Sequence, residues 1–114
     1  MVARIKEDIE MAQTTSLTDG NPVPQSSVTL SWIDNTGFAS GNVTPHSSMY
    51  TLSGTELRRT YDGTVNIIAR HITSIGFTQN GRVITCSVTA TDTSVQQRSK
   101  TLSFSMRTRT DWVR

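Results

Sequence analysis

The sequence has only one cysteine, Cys86, and no long apolar run. A single cysteine excludes an internal disulfide and a cysteine-rich zinc site. Because Cys86 lies within an alternating apolar stretch, we interpret it as a buried, unreactive thiol rather than a nucleophile. No apolar stretch approaches the roughly 20 residues that cross a bilayer, and no signal peptide is visible.

Charge is also scarce, and neither sign dominates. The sequence contains eleven Lys and Arg residues and nine Asp and Glu residues. The basic residues are scattered along the sequence, which disfavours a nucleic-acid-binding surface. No nucleophile or carboxylate pair stands out, so we predict neither catalysis, nor a cofactor, nor a small-molecule substrate. His71 has no second ligand at metal spacing, and Asp92 and Asp111 are isolated. We therefore predict no metal site.

Serine and threonine are abundant, with 33 residues between them. Threonine favours strands, and hydroxyl side chains suit the wetted face of a sheet. At 114 residues the chain is long enough for one modest core. The composition predicts a single β-rich, extracytoplasmic domain spanning residues 1–114.

The N-terminal segment has the period of an amphipathic helix over residues 2–13. Its apolar positions recur three and four residues apart, which predicts packing on a sheet. These positions are Val2, Ile5, Ile9 and Ala12. The charged positions form either a solvated face or candidate contacts with other subunits. The candidate contacts are Arg4, Glu7, Asp8 and Glu10.

After the helix, glycine, asparagine and two prolines predict a linker over residues 14–25. A β-rich region is then predicted over residues 26–109. Residues 27–34 alternate with a period of two, so that Val28, Leu30 and Trp32 share one face. Asn80-Gly81 predicts a hairpin turn between two strands. In the last strand, the same alternation predicts burial of its three large apolar side chains, Leu102, Phe104 and Met106.

The stretch MYTLSGTELRRTYDG, residues 49–63, contains two alternating runs separated by Gly54. The alternation places Arg58 and Arg59 on opposite faces, which argues against a joint arginine clamp. The following stretch has apolar residues at helical spacing, with Asp62 or Thr64 as the N-cap. We therefore predict a short helix near residues 64–73, buried through Val65, Ile68, Ala69 and Ile72.

The order of these segments resembles the soluble part of a type IV pilin-like protein. The segments are the N-terminal helix, VTLSW, MYTLSGTELRR, VNIIARHIT, SIGFTQNGRVITCSVTAT and KTLSFSMRTR. The pattern is most similar to minor pseudopilins of type II secretion, of the J type, and to W-type minor pilins. The resemblance implies an α+β, pilin-like fold in which the N-terminal amphipathic helix packs on an antiparallel β-sheet. The hydrophobic N-terminal segment of the family, with its glycine cleavage site and glutamate, is missing from this sequence.

The resemblance also implies a function in assembly rather than chemistry. It implies a structural subunit of a type IV pilus or type II secretion pseudopilus, with other pilin or pseudopilin subunits as partners. It places the domain in the bacterial cell envelope, extracytoplasmic and anchored in the inner membrane, or in a surface filament. We accordingly expect the natural gene to extend upstream of Val2 with about 20 or more apolar residues and a short basic leader.

The alternative hypothesis is a secreted β-rich adhesion or carbohydrate-binding domain. Its stacking surfaces would come from the larger aromatic side chains, Trp32, Tyr50, Tyr61 and Trp112. The alternation of the strands instead predicts that Trp32 and Tyr50 belong to the core. The sequence does not distinguish secretion, adhesion, motility and DNA uptake, and it does not identify a neighbouring subunit.

Overall fold

A computed structural model of the chain describes residues 1–34, 44–91 and 99–108. Within these residues there is one short helix, α1, Val2–Met11, and eight strands. The strands are β1 Thr14–Thr15, β2 Val28–Asp34, β3 Thr44–Ser53, β4 Glu56–Tyr61, β5 Thr64–Ala69, β6 Ile72–Asn80, β7 Val83–Thr91 and β8 Ser99–Arg107.

The strands form two antiparallel sheets. The larger sheet has the order β1-β2-β3-β4-β5, and the smaller has the order β6-β7-β8. The described part of the chain therefore has an all-β fold with one short N-terminal helix. The predicted α+β, pilin-like fold is wrong, because the described residues form two antiparallel sheets with one short helix rather than a helix packed on a single sheet.

The predicted short helix near residues 64–73 is also wrong, since this segment forms β5 and the start of β6. Asp62 and Gly63 both have positive φ angles, 48° and 90°, and join β4 to β5 in a two-residue turn. Positive φ at both central residues is the geometry of a type I′ hairpin turn, for which Asp-Gly is well suited. This turn brings the chain back antiparallel to β4. The β-branched residues that follow the turn favour the strand conformation.

The segment predicted as a linker, residues 14–25, lies along both sheets. Thr14 and Thr15 pair with β2, and the rest of the segment forms bridges between Asp19 and Gln79 and between Gln25 and Phe77. The last of these involves two backbone hydrogen bonds, of 2.9 and 2.8 Å. The segment is thus part of the folded domain rather than a spacer.

The core lies between the two sheets, and α1 contacts β2 of one and β8 of the other. Three of the four positions of the predicted helical stripe, Ile5, Ile9 and Ala12, are fully buried. Val2 is only half-buried. The sheets contribute the alternating residues of their inner faces. These include Val28, Leu30, Trp32, Tyr50, Leu57, Phe77, Ile84, Cys86 and Val88.

The C-terminal strands differ from the sequence-based expectation in two details. The predicted hairpin is present, but its turn is Gly81-Arg82, because Asn80 pairs with Val83. Among these residues only Gly81 has a positive φ, which is the pattern of a type II′ turn. In β8, Leu102 is 48% exposed rather than buried.

No helix in the described parts of the chain has the length and apolar character needed to cross a membrane.

Candidate functional site

The first cluster of polar residues joins α1 to the five-stranded sheet. Asp8 accepts two hydrogen bonds from Arg59, from Nε at 2.7 Å and from Nη2 at 3.0 Å. The hydroxyl of Tyr50 donates a third to Asp8. The Arg59 and Asp8 side chains are only 11% and 6% exposed, so this is a buried, bidentate ion pair.

The titration behaviour of the cluster follows from burial and charge. Burial, followed by the hydrogen bond and the negative charge of Asp8, raises the pKa of Tyr50 well above its ordinary value. Burial alone would lower the pKa of Arg59, but hydrogen bonding and attraction to Asp8 raise it overall. Both groups therefore keep their protons at physiological pH, and the cluster fastens the helix rather than transferring protons.

Asp8 was predicted as a candidate subunit contact, and its burial removes it from the exposed face of the helix. The helical period placed Asp8 on the polar side, but the facing surface of β3 and β4 supplies two polar partners. The other three candidates, Arg4, Glu7 and Glu10, are exposed. Arg4 forms an ion pair with Glu7 at 3.4 Å on this solvent-facing surface.

A second cluster consists of aromatic rings on the five-stranded sheet. The centroid of the Tyr61 ring lies 6.0 Å from that of Trp32 and 5.8 Å from that of His46. The guanidinium carbon of Arg59 lies 4.6 Å from the centre of the Tyr61 ring. Trp32 is only 6% exposed and Tyr50 is fully buried. Among the rings proposed for carbohydrate stacking, Trp32 and Tyr50 are thus buried and Tyr61 contacts other side chains.

A groove of about 510 Å³ borders this cluster, lined among others by Gln13, Trp32, Pro45, His46 and Asp62. Asp62 accepts a hydrogen bond from the backbone N–H of Ser47 at 2.9 Å and lies 2.5 Å from Nδ1 of His46. Hydrogen bonding to His46, and then to Ser47, lowers the pKa of Asp62. These contacts hold the tip of the β4–β5 hairpin against β3.

The outer edges of the two sheets are the third candidate region. An unpaired edge strand presents free N–H and C=O groups to other chains, and proteins usually protect such edges. At the edge of the larger sheet, β1 has only two residues. In the smaller sheet, Gln25 covers part of the edge of β6, and β8 has charged residues, Lys100 and Arg107, near its two ends.

The remaining edge, β5, has none of these protections. It is six residues long, contains no charged residue and no proline, and has no second strand neighbour in the described parts of the chain. Val65 and Ile67 are 56% and 42% exposed. Their alternation places both side chains on the same face of the sheet. This edge therefore combines unpaired backbone groups with exposed apolar side chains.

The described residues include no group of three or more His, Cys, Asp and Glu side chains that could hold a metal ion. Asp92, Asp111 and Trp112, which were considered for metal binding or stacking, lie outside the described residues. Cys86 is fully buried, and burial raises its pKa to about 12, so its thiolate is scarce at neutral pH. His71 is exposed and has a positive φ of 63° at the connection between the two sheets.

The edge of β5 is not evident from the apolar pattern of residues 64–73, because that pattern predicts a helix. Two signals for a strand were present. Asp62-Gly63 is a strong hairpin dipeptide, and the next stretch is rich in β-branched residues. No signal in the sequence predicted the pairing of Asp8 with Arg59, which are 51 positions apart.

Comparison of the chain with known protein families, curated proteins and solved structures finds no match. The resemblance to type IV pilin-like proteins is therefore not supported by any family match. The fold also contradicts it, since the described chain is mostly β-sheet with a single short helix. The identification as a minor pseudopilin or W-type minor pilin is wrong, and the only observations that bear on function are those of the domain itself.

Proposed function

We propose that this chain is a structural, non-enzymatic β-sheet module that joins a larger assembly by accepting a polypeptide strand at the edge of β5. The supporting observation is that, among the outer strand edges within the described residues, β5 alone is neither very short, nor covered by another segment, nor charged, and it is interrupted only by a bulge at Ile68 near its C-terminal end. Strand addition to such an edge is an established mode of recognition, in which backbone hydrogen bonds supply affinity and alternate side chains supply specificity.

The anchoring of β5 and the exposure of its apolar side chains support this proposal. The neighbouring strand β4 is held to the core through Arg59, and its hairpin to β5 is anchored by Asp62. A rigid strand loses little conformational entropy when another strand pairs with it. The incoming strand would also cover Val65 and Ile67, whose exposure is otherwise unfavourable.

The carbohydrate-binding alternative has less support. Stacking on a sugar requires an accessible ring face, but Trp32 and Tyr50 are buried, and Tyr61 contacts Arg59 and His46. An extracytoplasmic location remains part of our proposal, supported by the high serine and threonine content. Many of these hydroxyls lie on the outer face of the smaller sheet, where pairs such as Thr85–Ser105 and Thr89–Thr101 contact each other.

The proposal is tested by site-specific photocrosslinking in the organism that produces the protein. A photoreactive benzoylphenylalanine at position 65 should form an adduct with one defined polypeptide, and mass spectrometry should place the crosslink in an extended segment. The same residue at Lys100, which is exposed on β8, provides the matched control. A second substitution, Ile67→Lys, should abolish the adduct at position 65. The absence of adducts, or equal adducts at both positions, would contradict strand addition.

A further inference from the structure

The hydrogen-bonding direction of each residue in β5 follows from the turn before it. In a two-residue hairpin, the flanking residues Tyr61 and Thr64 form a hydrogen-bonded pair, and such pairs alternate with non-hydrogen-bonded pairs along the ladder. Thr64 and Asn66 therefore direct their backbone groups toward β4. Val65 and Ile67 direct their N–H and C=O groups toward the free edge.

An added antiparallel strand of the same sequence fits this edge in one symmetric register. A two-fold axis at Asn66 places Val65 of one copy opposite Ile67 of the other, and both are edge-directed residues. The two pairs related by the axis supply four backbone hydrogen bonds. An axis at Val65 would instead oppose Ile67 with Gly63 in the turn, and an axis at Ile67 would oppose Val65 with Ala69, beyond the bulge in the β4–β5 ladder.

The side chains agree with the register that the backbone selects. Val65 and Ile67 of both copies would lie on one face and form a cluster of four exposed apolar side chains, and β-branched pairs of this kind stabilise antiparallel sheets. Beyond the strand, the same register brings the end of β5 that follows Asp62 in each copy toward the end that precedes Arg70 in the other. Asp62 already contacts His46, however, and Arg70 already pairs with Glu56 at 2.9 Å within each copy. The backbone direction and the apolar pairing of Val65 with Ile67 therefore select the same axis.

We propose that the strand accepted at the edge of β5 is β5 of a second copy of this chain, paired antiparallel about Asn66. This inference rests on the proposed strand-addition function and names its partner. The two five-stranded sheets join into one continuous sheet, and the interface is isologous, so each copy closes the edge of the other. The contact involves only one short strand from each copy, which makes the dimer weak compared with interfaces of standard size.

A weak symmetric dimer is best detected by disulfide trapping. Asn66 would face its own counterpart in a non-hydrogen-bonded pair, where Cα atoms lie about 4.5 Å apart, within the range of a disulfide. Asn66→Cys should therefore form a covalent dimer under mild oxidation. Thr64→Cys is the matched control, because this exposed residue lies on the same face of β5 but about 13 Å from its counterpart in the proposed register. The native Cys86 can remain, since it is fully buried.

The expected result is a disulfide-linked dimer that predominates for Asn66→Cys, is scarce for Thr64→Cys, and disappears when Ile67→Lys is added to Asn66→Cys. Equal dimer yields from the two cysteine variants, or no dimer from either, would overturn the self-pairing. If trapping fails but position 65 crosslinks to a different polypeptide, strand addition stands and only the identity of the partner is wrong. If both experiments fail, the proposed function fails as well.

Discussion

The two sheets of this domain share one core, but their outer edge strands differ in how they are protected from pairing with other chains. In the smaller sheet, the segment before β2 covers part of one edge, and charged residues stand near both ends of the other edge strand. In the larger sheet, one edge strand has only two residues, whereas β5 is six residues long and exposes Val65 and Ile67. Among the strand edges that residues 1–34, 44–91 and 99–108 form, β5 is thus the exception, and this is why our proposal places strand addition there.

The sheets also differ on their inner faces. The smaller sheet contributes apolar residues such as Phe77 and Ile84, while the larger sheet adds the charged side chain of Arg59. The helix α1 contributes both kinds of contact: Ile5 and Ile9 are fully buried in the apolar core, and Asp8 pairs with Arg59 of the larger sheet. Four tests, each made by substitution, would break or sharpen this comparison, from the largest expected effect to the smallest.

Arg59→Met should have the largest effect, because it leaves the buried carboxylate of Asp8 without its cation. Removal of one partner from a buried pair costs about 3–5 kcal/mol in the free energy of unfolding. Arg58→Met is the matched control, because Arg58 is 41% exposed and pairs with Glu56 on the opposite face. This control should change stability by at most about 1 kcal/mol. Chemical denaturation measures both variants, and equal losses would contradict the structural importance of the Asp8–Arg59 pair.

Ile84→Ala and Ile67→Ala compare the inner strand of the smaller sheet with the open edge of the larger sheet. Ile84 is fully buried, so its truncation should cost about 2–5 kcal/mol. Ile67 is 42% exposed, and its truncation should stay within about 0.5 kcal/mol. Thermal unfolding at low protein concentration keeps self-association from contributing. A large loss for Ile67→Ala under these conditions would mean that the edge of β5 is packed within the monomer.

Gly76→Ala tests how the edge of β6 is covered. A Cβ atom at this position would lie 2.8 Å from Cβ of Pro24, so the covering segment must shift. Such overpacking typically costs about 1–3 kcal/mol. The amide of Phe77, which donates to the carbonyl of Gln25 at 2.8 Å, should then exchange its hydrogen faster. Ser74→Ala, on the same strand at an exposed position, should leave that exchange unchanged. Unaltered protection of Phe77 in Gly76→Ala would show that the cover does not depend on this contact.

Asp62→Asn should have the smallest effect, and the effect should depend on pH. The pKa of Asp62 is lowered in the folded protein by His46 and the Ser47 amide, so the ionised carboxylate stabilises the fold above the ordinary carboxyl pKa of about 3.9. That contribution is lost as the pH falls through the lowered folded-state pKa. The melting temperature of the native protein should exceed that of the variant at neutral pH, and the difference should shrink in acid. Glu7→Gln, on the exposed face of α1, is the control, and a difference that grows in acid would contradict the pairing.

Much of the fold was predictable where one face of a strand is buried. Val28, Leu30 and Trp32 alternate with polar residues because β2 has one face on the core, and Ile84, Cys86 and Val88 do so in β7 for the same reason. The apolar stripe of the N-terminal helical segment was equally predictable, since Ile5, Ile9 and Ala12 pack on the sheets. In these elements the hydrophobic period reports burial directly.

The edge strand could not be identified in this way. In β5 no residue is fully buried, so its apolar positions do not alternate with burial. Val65, Ile68, Ala69 and Ile72 happen to match a helical period, and this coincidence produced the wrong helix and contributed to the wrong fold class. The strand conformation is selected by the Asp62-Gly63 turn and by pairing with β4, and pairing is a property of two segments rather than one.

By itself, the sequence determined an amphipathic N-terminal helix, alternating strands and a buried thiol, because each depends on local order or periodicity. Tertiary structure decided that there are two sheets, that the segment over residues 14–25 is folded onto them, and that Asp8 is buried against Arg59. It also decided which strand remains at an open edge. These features depend on contacts between residues far apart in the chain, and no local pattern specifies which distant backbone will supply the partner.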